Sequence, residues 1–415
     1  MAVINHYYER ALEEVVKKSF ANNKIVSILG ARQCGKSTLV EHLFPDIDSV
    51  SLKTAFMIAQ AKQNPDSFIR GLTIPAFIDE AQRAEEIFGT LQEVTDRNNF
   101  YSQFILSGSN KLSLDERIKE SLAGRTSIIE MNGLSLREIN QVGFNKHFVP
   151  TEEYLSERKK HIKEYGDLWF YIHRGFYPEL YDNPNKDWEE FYSSYVQTYI
   201  EKDVLADTQV KDITAFTRFL IAAAARTGEI LNYANIANDV GVSAVTVKEW
   251  MFILVKTNIV YLLQPYHNSH LDRAIKTPKL YFRDTGLAAY LSGWLTKDQL
   301  MKGAKNGAFF ETFVVNELIK SFANEGKDYS KRVFFYNGKD KTPKGGEIDF
   351  IIEENGTLYP IEIKKKDMPT ADDASAFDVL DKDLNKKRGM GVIISSNPNK
   401  VYLRDNLLCL PVEYI

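Results

Sequence analysis

The chain has 415 residues, 44% of them hydrophobic, and a formal net charge of −4. This length predicts two or three domains with hydrophobic cores, and the charge excludes a polybasic nucleic-acid binder, so any DNA contact must come from a local patch. Two cysteines, Cys34 and Cys409, exclude a disulfide framework, and no stretch of sequence is apolar enough for a membrane helix. We therefore expect a soluble cytoplasmic protein without a membrane partner.

Strands and helices alternate in the first part of the chain. Helical spacing of apolar residues predicts a helix within Glu9 to Phe20. Short apolar runs predict strands at Ile25 to Leu29, Ile74 to Ile78 and Phe104 to Leu106. This alternation is typical of an α/β domain, which we assign to residues 1–150, with ligands at the carboxyl ends of the strands.

A phosphate-binding motif follows the first strand. Gly30 to Ser37 reads GARQCGKS, which satisfies the Walker A pattern G-x-x-x-x-G-K-[ST]. Its glycines allow backbone N–H groups to surround phosphate oxygens, and the following helix directs its positive amino terminus at the anion. Lys36 can reach the β- and γ-phosphates, and the Ser37 hydroxyl can bind Mg²⁺. The predicted nucleotide-binding residues here are Gly30, Gln33, Cys34, Gly35, Lys36, Ser37 and Thr38.

Polar residues end the next two strands. Asp79 is predicted to hold Mg²⁺ directly or through water, and Glu80 to polarise the attacking water as a general base. The alternative for this pair is an acidic start to the next helix. Ser107, in the segment Ser107 to Asn110, lies where a polar sensor of the γ-phosphate is expected. Arg125 could contact phosphate in its own chain or in a neighbouring subunit, or it could form a surface salt bridge.

Residues 151–270 are predicted to form a helical lid and a winged-helix domain. The helix-turn-helix elements, in chain order, are Tyr233 to Val240, Gly241, Ser243 to Leu254 and a wing near Ile259 to Gln264. Ser243 is a suitable N-cap for the second helix. DNA is a candidate partner, but Glu249 offsets Lys248 and Lys256 on that helix, so packing against protein is the alternative.

Strands return in residues 271–415, where the most informative signal is Asn355-Gly356. Asn-Gly between β-rich runs predicts a type I′ hairpin. In the resulting register Asp349 lies opposite Glu362, and two opposed carboxylates repel. Mg²⁺ or Mn²⁺ would offset that repulsion, since both ions suit carboxylate ligands. Lys364 lies on the same face, where it could position a hydroxide or stabilise a phosphate.

One further acid is predicted to join this pair. Glu311 falls within the apolar stripe of a helix from Gly307 to Phe322, where a carboxylate is rare unless it is paired or ligates a metal. We predict that Glu311, Asp349 and Glu362 bind a divalent metal. The alternative is that Glu311 forms a structural ion pair with a basic side chain such as Lys364.

Two family resemblances follow from these residues. Asp349, Glu362 and Lys364 resemble the Asp…Glu-x-Lys motif of the PD-(D/E)xK nuclease superfamily. That resemblance implies that the acids bind divalent metal, that the lysine assists phosphodiester hydrolysis, and that a helix glutamate lies where Glu311 does. It implies a C-terminal α/β nuclease-like domain in which Asp349, Glu362 and Lys364 are catalytic.

The whole chain resembles the prokaryotic AAA-superfamily ATPases that carry a C-terminal domain of unknown function. The matching segments are Gly30 to Thr38, Phe77 to Gln82, Leu106 to Ser109, Ser121 to Arg125, Gly175 to Leu180, Tyr199 to Val204, Ser243 to Tyr266, Lys279 to Gly286 and Gly346 to Lys364. The resemblance implies an AAA-type P-loop ATPase domain, a winged-helix segment and a nuclease-like end, and it favours ATP over GTP.

These features together predict an ATP-binding and ATP-hydrolysing protein that acts on DNA and carries a metal-dependent nuclease-like domain. The alternative is an ATP-dependent switch or interaction protein whose C-terminal nuclease fold is catalytically inactive. In either case the partner could be a second copy of the chain or another protein.

Overall fold

A computed structural model describes residues 7–109, 122–183, 185–200, 212–267, 277–338, 346–382 and 386–415. Of the residues named above, Asn110, Ser121 and residues 201–204 lie outside these ranges. No helix in the described ranges is long and apolar enough to cross a membrane.

The amino-terminal part is a parallel sheet with helices on both faces, as the alternating pattern predicts. Its strand order is β2-β3-β4-β1-β5. The strands are β1 Ile25–Leu29, β2 Asp48–Ser51, β3 Ala76–Asp79, β4 Phe104–Gly108 and β5 Thr126–Glu130. The helices are α1 Glu13–Asn22, α2 Lys36–Leu43, α3 Ala55–Gln63, α4 Pro65–Arg70 and α5 Ile87–Arg97, with a 3₁₀ turn at Ala81–Arg83.

Strand β1 shows why this sheet is buried on both sides. Ile25 and Leu29 belong to one apolar core, and Val26 and Ile28 belong to another. Successive side chains of a strand point to opposite faces, so a continuous apolar run packs against two layers at once. The sheet is therefore fixed in place, and its carboxyl edge is a rigid support for loops.

A helical region follows the sheet and leads into a second, three-stranded sheet. Its first helices are α6 Leu136–Ile139, α7 Glu152–Lys159, α8 Leu168–Arg174, α9 Glu179–Asp182 and α10 Trp188–Tyr195, followed by a π-helical turn at Val196–Ile200. Next come α11 Ile213–Ala224, β6 Glu229–Ile230, α12 Tyr233–Val240, α13 Ala244–Lys256, β7 Val260–Leu263 and β8 Lys279–Phe282. The strands are antiparallel in the order β6-β8-β7.

Two helices, α12 and α13, lie where the sequence predicts the helices of the helix-turn-helix segment. Gly241 takes a positive φ of 81° between α12 and α13, and Ser243 caps α13 by accepting a hydrogen bond of 3.0 Å from the Thr246 N–H. Strand β8 begins beyond residue 270, where we placed a domain boundary, yet it lies between β6 and β7. It therefore belongs structurally with the middle of the chain.

The carboxyl-terminal part is a mixed sheet with a long helix against it. Its helices are α14 Thr285–Leu291, α15 Lys297–Lys302 and α16 Asn306–Asn324, with 3₁₀ segments at Ala371–Lys382 and Val412–Tyr414. Its strands are β9 Val333–Asn337, β10 Glu347–Glu354, β11 Thr357–Lys364, β12 Lys387–Arg388, β13 Gly391–Ser395, β14 Val401–Arg404 and β15 Leu407–Pro411. The order is β14-β15-β13-β11-β10-β9, with β12 beside β11.

The predicted hairpin is present in the predicted register. Strands β10 and β11 pair antiparallel from Phe350–Ile361 to Glu354–Thr357. Asn355 and Gly356 have φ values of 50° and 74°, and two consecutive positive values are what a type I′ turn requires. One apolar core runs from Leu136 to Ile415 and joins the middle of the chain to this sheet.

Candidate functional site

The residues predicted to bind nucleotide, other than Arg125, meet at the carboxyl edge of the five-stranded sheet. The loop from Gly30 leaves β1, Asp79 ends β3, and Ser107 lies in β4 between them. Gly35 has a φ of 97°, and a Cβ atom on Gly30 would lie 2.1 Å from the Met131 carbonyl oxygen. Both glycines are therefore required for the path of the loop.

The side chain of Lys36 is buried at the base of this loop. Its ammonium donates hydrogen bonds of 2.9 Å to the carbonyl oxygens of Gly30 and Ala31. A cavity of about 700 Å³ lies beside it and is lined by Gln33, Gly35, Lys36, Ser37 and Thr38 among others. That volume is within the range of small-molecule sites.

Cys34 does not line this cavity through its thiol, which is buried. Instead, its carbonyl oxygen accepts a hydrogen bond of 2.8 Å from the Arg10 guanidinium. Its contribution to the loop is therefore through the backbone.

The carboxylate of Asp79 lies in a network of donors. Ser107 Oγ donates to Asp79 Oδ1 at 2.5 Å, and Lys53 Nζ lies 2.5 Å from Oδ2. Burial acts to raise the pKa of Asp79, but the hydrogen bonds and charge of Lys53, with Ser107 and Ser37, outweigh it and lower the pKa. Asp79 is therefore ionised at neutral pH, as a cation ligand must be.

Glu80 is held in an uncommon backbone conformation. Its φ is 57°, which is rare for a residue other than glycine and is found where surrounding contacts enforce it. Gln82 Nε2 and Ser109 Oγ donate to Glu80 Oε2 at 2.6 and 3.0 Å, and the Glu80 N–H donates to Ser107 Oγ at 3.2 Å. The carboxylate is buried and its direction is fixed.

Several residues of the cavity were missed in the sequence. Tyr7 stacks on His42 with ring centroids 3.8 Å apart, and both line the cavity together with Tyr8 and Pro178. Gln82, which holds Glu80, was also given no role, whereas Ser109 lies in the segment predicted to sense the γ-phosphate. The aromatic residues carry no motif, and only folding brings residue 7 next to α2.

Arg125 is not at the phosphate site of its own chain, contrary to one of the roles we considered. It lies just before β5, and its carbonyl oxygen accepts a hydrogen bond from Ile25, the first residue of β1. This is the amino edge of the sheet, opposite the loop. Its guanidinium pairs with Asp96, Nε to Oδ1 at 2.5 Å and Nη2 to Oδ2 at 2.9 Å. Within its own chain Arg125 forms a surface salt bridge, one of the roles we considered, and its contact with a neighbouring subunit remains a prediction.

The carboxylates of the second predicted site meet, but around a lysine. Lys279 Nζ lies 3.0 Å from Glu311 Oε1, 2.6 Å from Glu347 Oε1 and 3.5 Å from Asp349 Oδ1. Tyr281 donates from its hydroxyl to Glu311 Oε1 at 2.6 Å. Glu311 therefore forms an ion pair, as the alternative proposed, although its partner is Lys279.

The rest of the cluster is paired in the same way. Lys364 Nζ donates to Glu362 Oε1 and lies 4.0 Å from Asp349 Oδ2. Burial, reinforced by the charge of Asp349, raises the pKa of both Glu311 and Glu362. Burial acts to lower the pKa of Lys279, but Tyr281 and the surrounding carboxylates outweigh it and raise that pKa. Lys279 therefore carries a full positive charge.

This arrangement does not fit a metal ion as it stands. Across the described residues, no three or more His, Cys, Asp or Glu side chains are placed to hold a metal together. The Lys279 ammonium lies within 3.5 Å of both Glu311 and Asp349, two of the three predicted metal ligands. The metal-binding roles of Glu311, Asp349 and Glu362 remain predictions.

Three family models match successive parts of the chain. Residues 22–140, which contain all five parallel strands, the Gly30 loop, Asp79 and Glu80, match an AAA domain. The amino-terminal domain is an AAA-type P-loop domain. Residues 165–298 match a domain of unknown function (DUF8612), and residues 306–415 match another (DUF4143). The DUF8612 match includes β8 together with β6 and β7.

Relatives similar to the whole chain occur in mycobacteria. The uncharacterized proteins Rv2008c of Mycobacterium tuberculosis and Mb2031c of Mycobacterium bovis are each 25% identical over 96% of this chain and 82% of their own length. Among solved structures, the Walker-type ATPase PABY2304 of Pyrococcus abyssi is 15% identical, covers 69% of this chain and 96% of its own, and has a TM-score of 0.42. The RuvB Holliday junction branch migration motor of Thermotoga maritima is 18% identical, covers 60% and 85%, and has a TM-score of 0.26.

Charged contacts join the AAA domain to the rest of the chain. Arg283, directly after β8, donates to Glu130 Oε1 and Asn132 Oδ1 at 2.7 and 2.8 Å. Glu317 on α16 accepts a hydrogen bond of 2.9 Å from the Leu136 N–H. The segment that leaves β5 is therefore held by elements far along the chain.

The AAA domain also has oxygen donors that fit Mg²⁺. The Ser37 hydroxyl is hydrogen-bonded to the Asp79 carboxylate, and hydroxyl and carboxylate oxygens are the ligands that Mg²⁺ prefers. Lys53, the cation beside Asp79, has 57% of its side chain exposed, so it can turn into solvent.

Proposed function

We propose that the protein binds ATP with Mg²⁺ through its AAA domain and hydrolyses it. The observation that carries the proposal is the Glu80 carboxylate, fixed by Gln82 and Ser109 at the strand edge that also carries the Lys36 loop. A nucleotide loop alone would need only to bind phosphate, whereas a buried, oriented carboxylate beside it suits a general base.

The roles of the residues follow from their positions. The backbone of the loop and Lys36 bind the phosphates and orient the γ-phosphate. Ser37 and Asp79 would hold Mg²⁺, which supplies charge neutralisation on the phosphates. Glu80 accepts a proton from the attacking water. Ser107 fixes the relative positions of the Asp79 carboxylate and the Glu80 backbone by hydrogen-bonding to both. Tyr7 and His42 offer a stacked aromatic wall to the nucleotide base.

ATP turnover by Lys36→Ala tests this proposal. The variant should lose ATP binding and turnover because the phosphates lose their buried cation. Lys62→Ala, which removes an exposed lysine from α3 of the same domain, is the matched control and should behave as wild type. Wild-type turnover in Lys36→Ala would refute the proposal.

DNA is a second candidate partner, through the middle of the chain. The helices α11, α12 and α13 with the β6-β8-β7 sheet have the order of elements of a winged-helix unit. The exposed face of α13 carries Lys248 together with Val245 and Phe252, which are 67% and 51% exposed. This mixture of basic and apolar side chains suits DNA less well than a uniformly basic helix would.

Stimulation of ATP turnover by DNA separates the two kinds of partner. If DNA is the partner, duplex or single-stranded DNA should raise turnover, and added salt should weaken the effect. Lys248→Glu should reduce the response. No response to any DNA form at low salt would assign α13 to a protein partner.

For the carboxyl-terminal domain we propose the inactive alternative, in which the nuclease-like fold does not cleave DNA. Lys279 among the carboxylates supports it. Supercoiled and linear DNA should stay intact with Mg²⁺ or Mn²⁺, with and without ATP. Cleavage that disappears in Glu362→Ala would instead establish the catalytic roles predicted for Asp349, Glu362 and Lys364.

A further inference from the structure

Lys279 is among the most buried charged residues of the described chain. Its side chain is 4% exposed, and it approaches three carboxylates, Glu311, Glu347 and Asp349, within 3.5 Å. A buried ammonium is unfavourable unless it is paired and hydrogen-bonded. The contacts of Lys279 meet that condition without any other cation.

The charges of the cluster are offset only in part by the chain itself, since four carboxylates face two ammonium groups. Lys279 pairs with Glu311, Glu347 and Asp349, and Lys364 pairs with Glu362 and lies 4.0 Å from Asp349. Part of the repulsion between Asp349 and Glu362 persists, and Glu362 Oε2 is buried without a hydrogen-bond partner among the described residues. The Lys279 ammonium nevertheless lies within 3.5 Å of Glu311 and Asp349, two of the three predicted metal ligands.

We propose that Lys279 is the built-in cation of the carboxylate cluster and keeps divalent metal ions out of it. Lys279 lies on β8, a strand of the middle sheet, whereas Asp349 and Glu362 lie on the β10–β11 hairpin and Glu311 on α16. The cluster is thus an internal docking site, in which one part of the chain supplies the cation that another part binds. Whether the Lys279 ammonium reaches these carboxylates depends on how β8 packs against the β10–β11 hairpin.

Strand β8 is held at its other end by the AAA domain. Arg283 follows β8 and binds Glu130, the last residue of β5, which pairs with Leu29 next to the phosphate loop. Lys279 and Arg283 are four positions apart along the chain, a span of about 13 Å. One short segment therefore carries both Lys279, which binds the carboxylate cluster, and Arg283, which binds the AAA domain.

Binding of Mn²⁺ to the protein tests the proposal. Because the experiment contains no nucleotide, its outcome does not depend on whether the protein hydrolyses ATP. Mn²⁺ would be titrated into wild type, Lys279→Met and Lys279→Met/Glu362→Gln, with binding read by electron paramagnetic resonance and by the melting temperature. Wild type should bind no Mn²⁺ at this cluster. Lys279→Met should gain one site, at least about tenfold tighter than any wild-type binding, because a positive charge has been removed from beside the ligands. The second substitution should remove that site.

Two further variants guard against misfolding and against a general charge effect. Lys279→Gln keeps a hydrogen-bond donor at the cluster and serves if Lys279→Met does not fold. Lys400→Met removes an exposed lysine beside β14, an edge strand separated from β11 by β15 and β13, and it should bind Mn²⁺ as wild type does. Mn²⁺ binding by wild type that is lost in Glu362→Gln would overturn the proposal. So would a folded Lys279 variant that gains no site.

Discussion

Glu80 is the residue whose chemistry separates ATP binding from ATP hydrolysis. Replacing it with glutamine keeps its size and its contact with Ser109 but removes the base. We expect Glu80→Gln to bind ATP as wild type does and to turn it over about 10²- to 10⁴-fold more slowly. Single-turnover kinetics and equilibrium binding would measure both quantities. Glu86→Gln, at an exposed acid of the same segment, is the control, and unchanged turnover in Glu80→Gln would exclude Glu80 as the base.

Protonation of Glu138 should make the folding stability of the AAA domain depend on pH in the acidic range. Its carboxylate is buried, pairs with Arg10 at 2.9 Å and closes the capping box of α6. Burial acts to raise the pKa of Glu138, but Arg10 and the backbone donors outweigh it and lower the pKa below the ordinary 4.5. A lowered pKa in the folded state stabilises the fold above pH 4.5 and stops doing so as the pH falls through the folded value.

We therefore expect the stability gap between wild type and Glu138→Gln to depend on pH. The gap in unfolding free energy should be about 3–5 kcal/mol at pH 7, since Arg10 is left buried without its partner. It should narrow below pH 4.5 as Glu138 itself becomes protonated. Urea denaturation at several pH values would measure it, with Glu157→Gln as a surface control. A gap that is constant down to pH 3 would contradict this account.

At the level of elements, the Ser243 N-cap stabilises the first turn of α13. The Ser243 hydroxyl accepts a hydrogen bond from the Thr246 N–H, which would otherwise be one of the unsatisfied donors at a helix start. Ser243→Ala should cost about 1 kcal/mol of stability. Thermal unfolding would measure this, and Ser156→Ala, at an exposed interior position of α7, should change it little. Equal effects of the two substitutions would show that the cap contributes nothing.

Elements that depend on neighbouring residues were predictable from the sequence. The β10–β11 register follows from Asn355-Gly356 because the turn type fixes which residues face each other. The phosphate loop likewise follows from the glycines and the strand before them. Lys279 was not found as the partner of Asp349, because neither periodicity nor motif relates two distant segments. The roles considered for Arg125 stayed open for the same reason: the sequence shows its residue type but not the edge of the sheet on which it lies.

At the level of the whole molecule, the middle and carboxyl-terminal parts share one apolar core, whereas the AAA domain has two cores of its own, one on each face of its sheet. Parts that share a core should lose structure together. Phe219, on α11, and Phe88, on α5, are both fully buried in these separate cores. Replacing either by alanine should cost about 3–5 kcal/mol.

We expect Phe219→Ala to speed hydrogen exchange of the β13 amides, although β13 is in the carboxyl-terminal sheet. Phe88→Ala should instead affect the amides of β3 and β4 and leave β13 nearly unchanged. Hydrogen exchange followed by mass spectrometry would measure both. Unchanged β13 protection in Phe219→Ala would mean that the two parts open independently in spite of their shared core.

The two hydrogen bonds from Lys36 to the loop carbonyls have a consequence for the whole domain. A free lysine side chain loses about 2 kcal/mol of conformational entropy when it is fixed. Here folding itself imposes that loss, so an arriving phosphate meets an ammonium that is already ordered. Part of the entropic cost of binding phosphate is therefore already included in the folding free energy of the domain. A substitution that loosens the contact between Gly30 and Met131 should weaken phosphate binding, although it changes no atom that contacts the ligand.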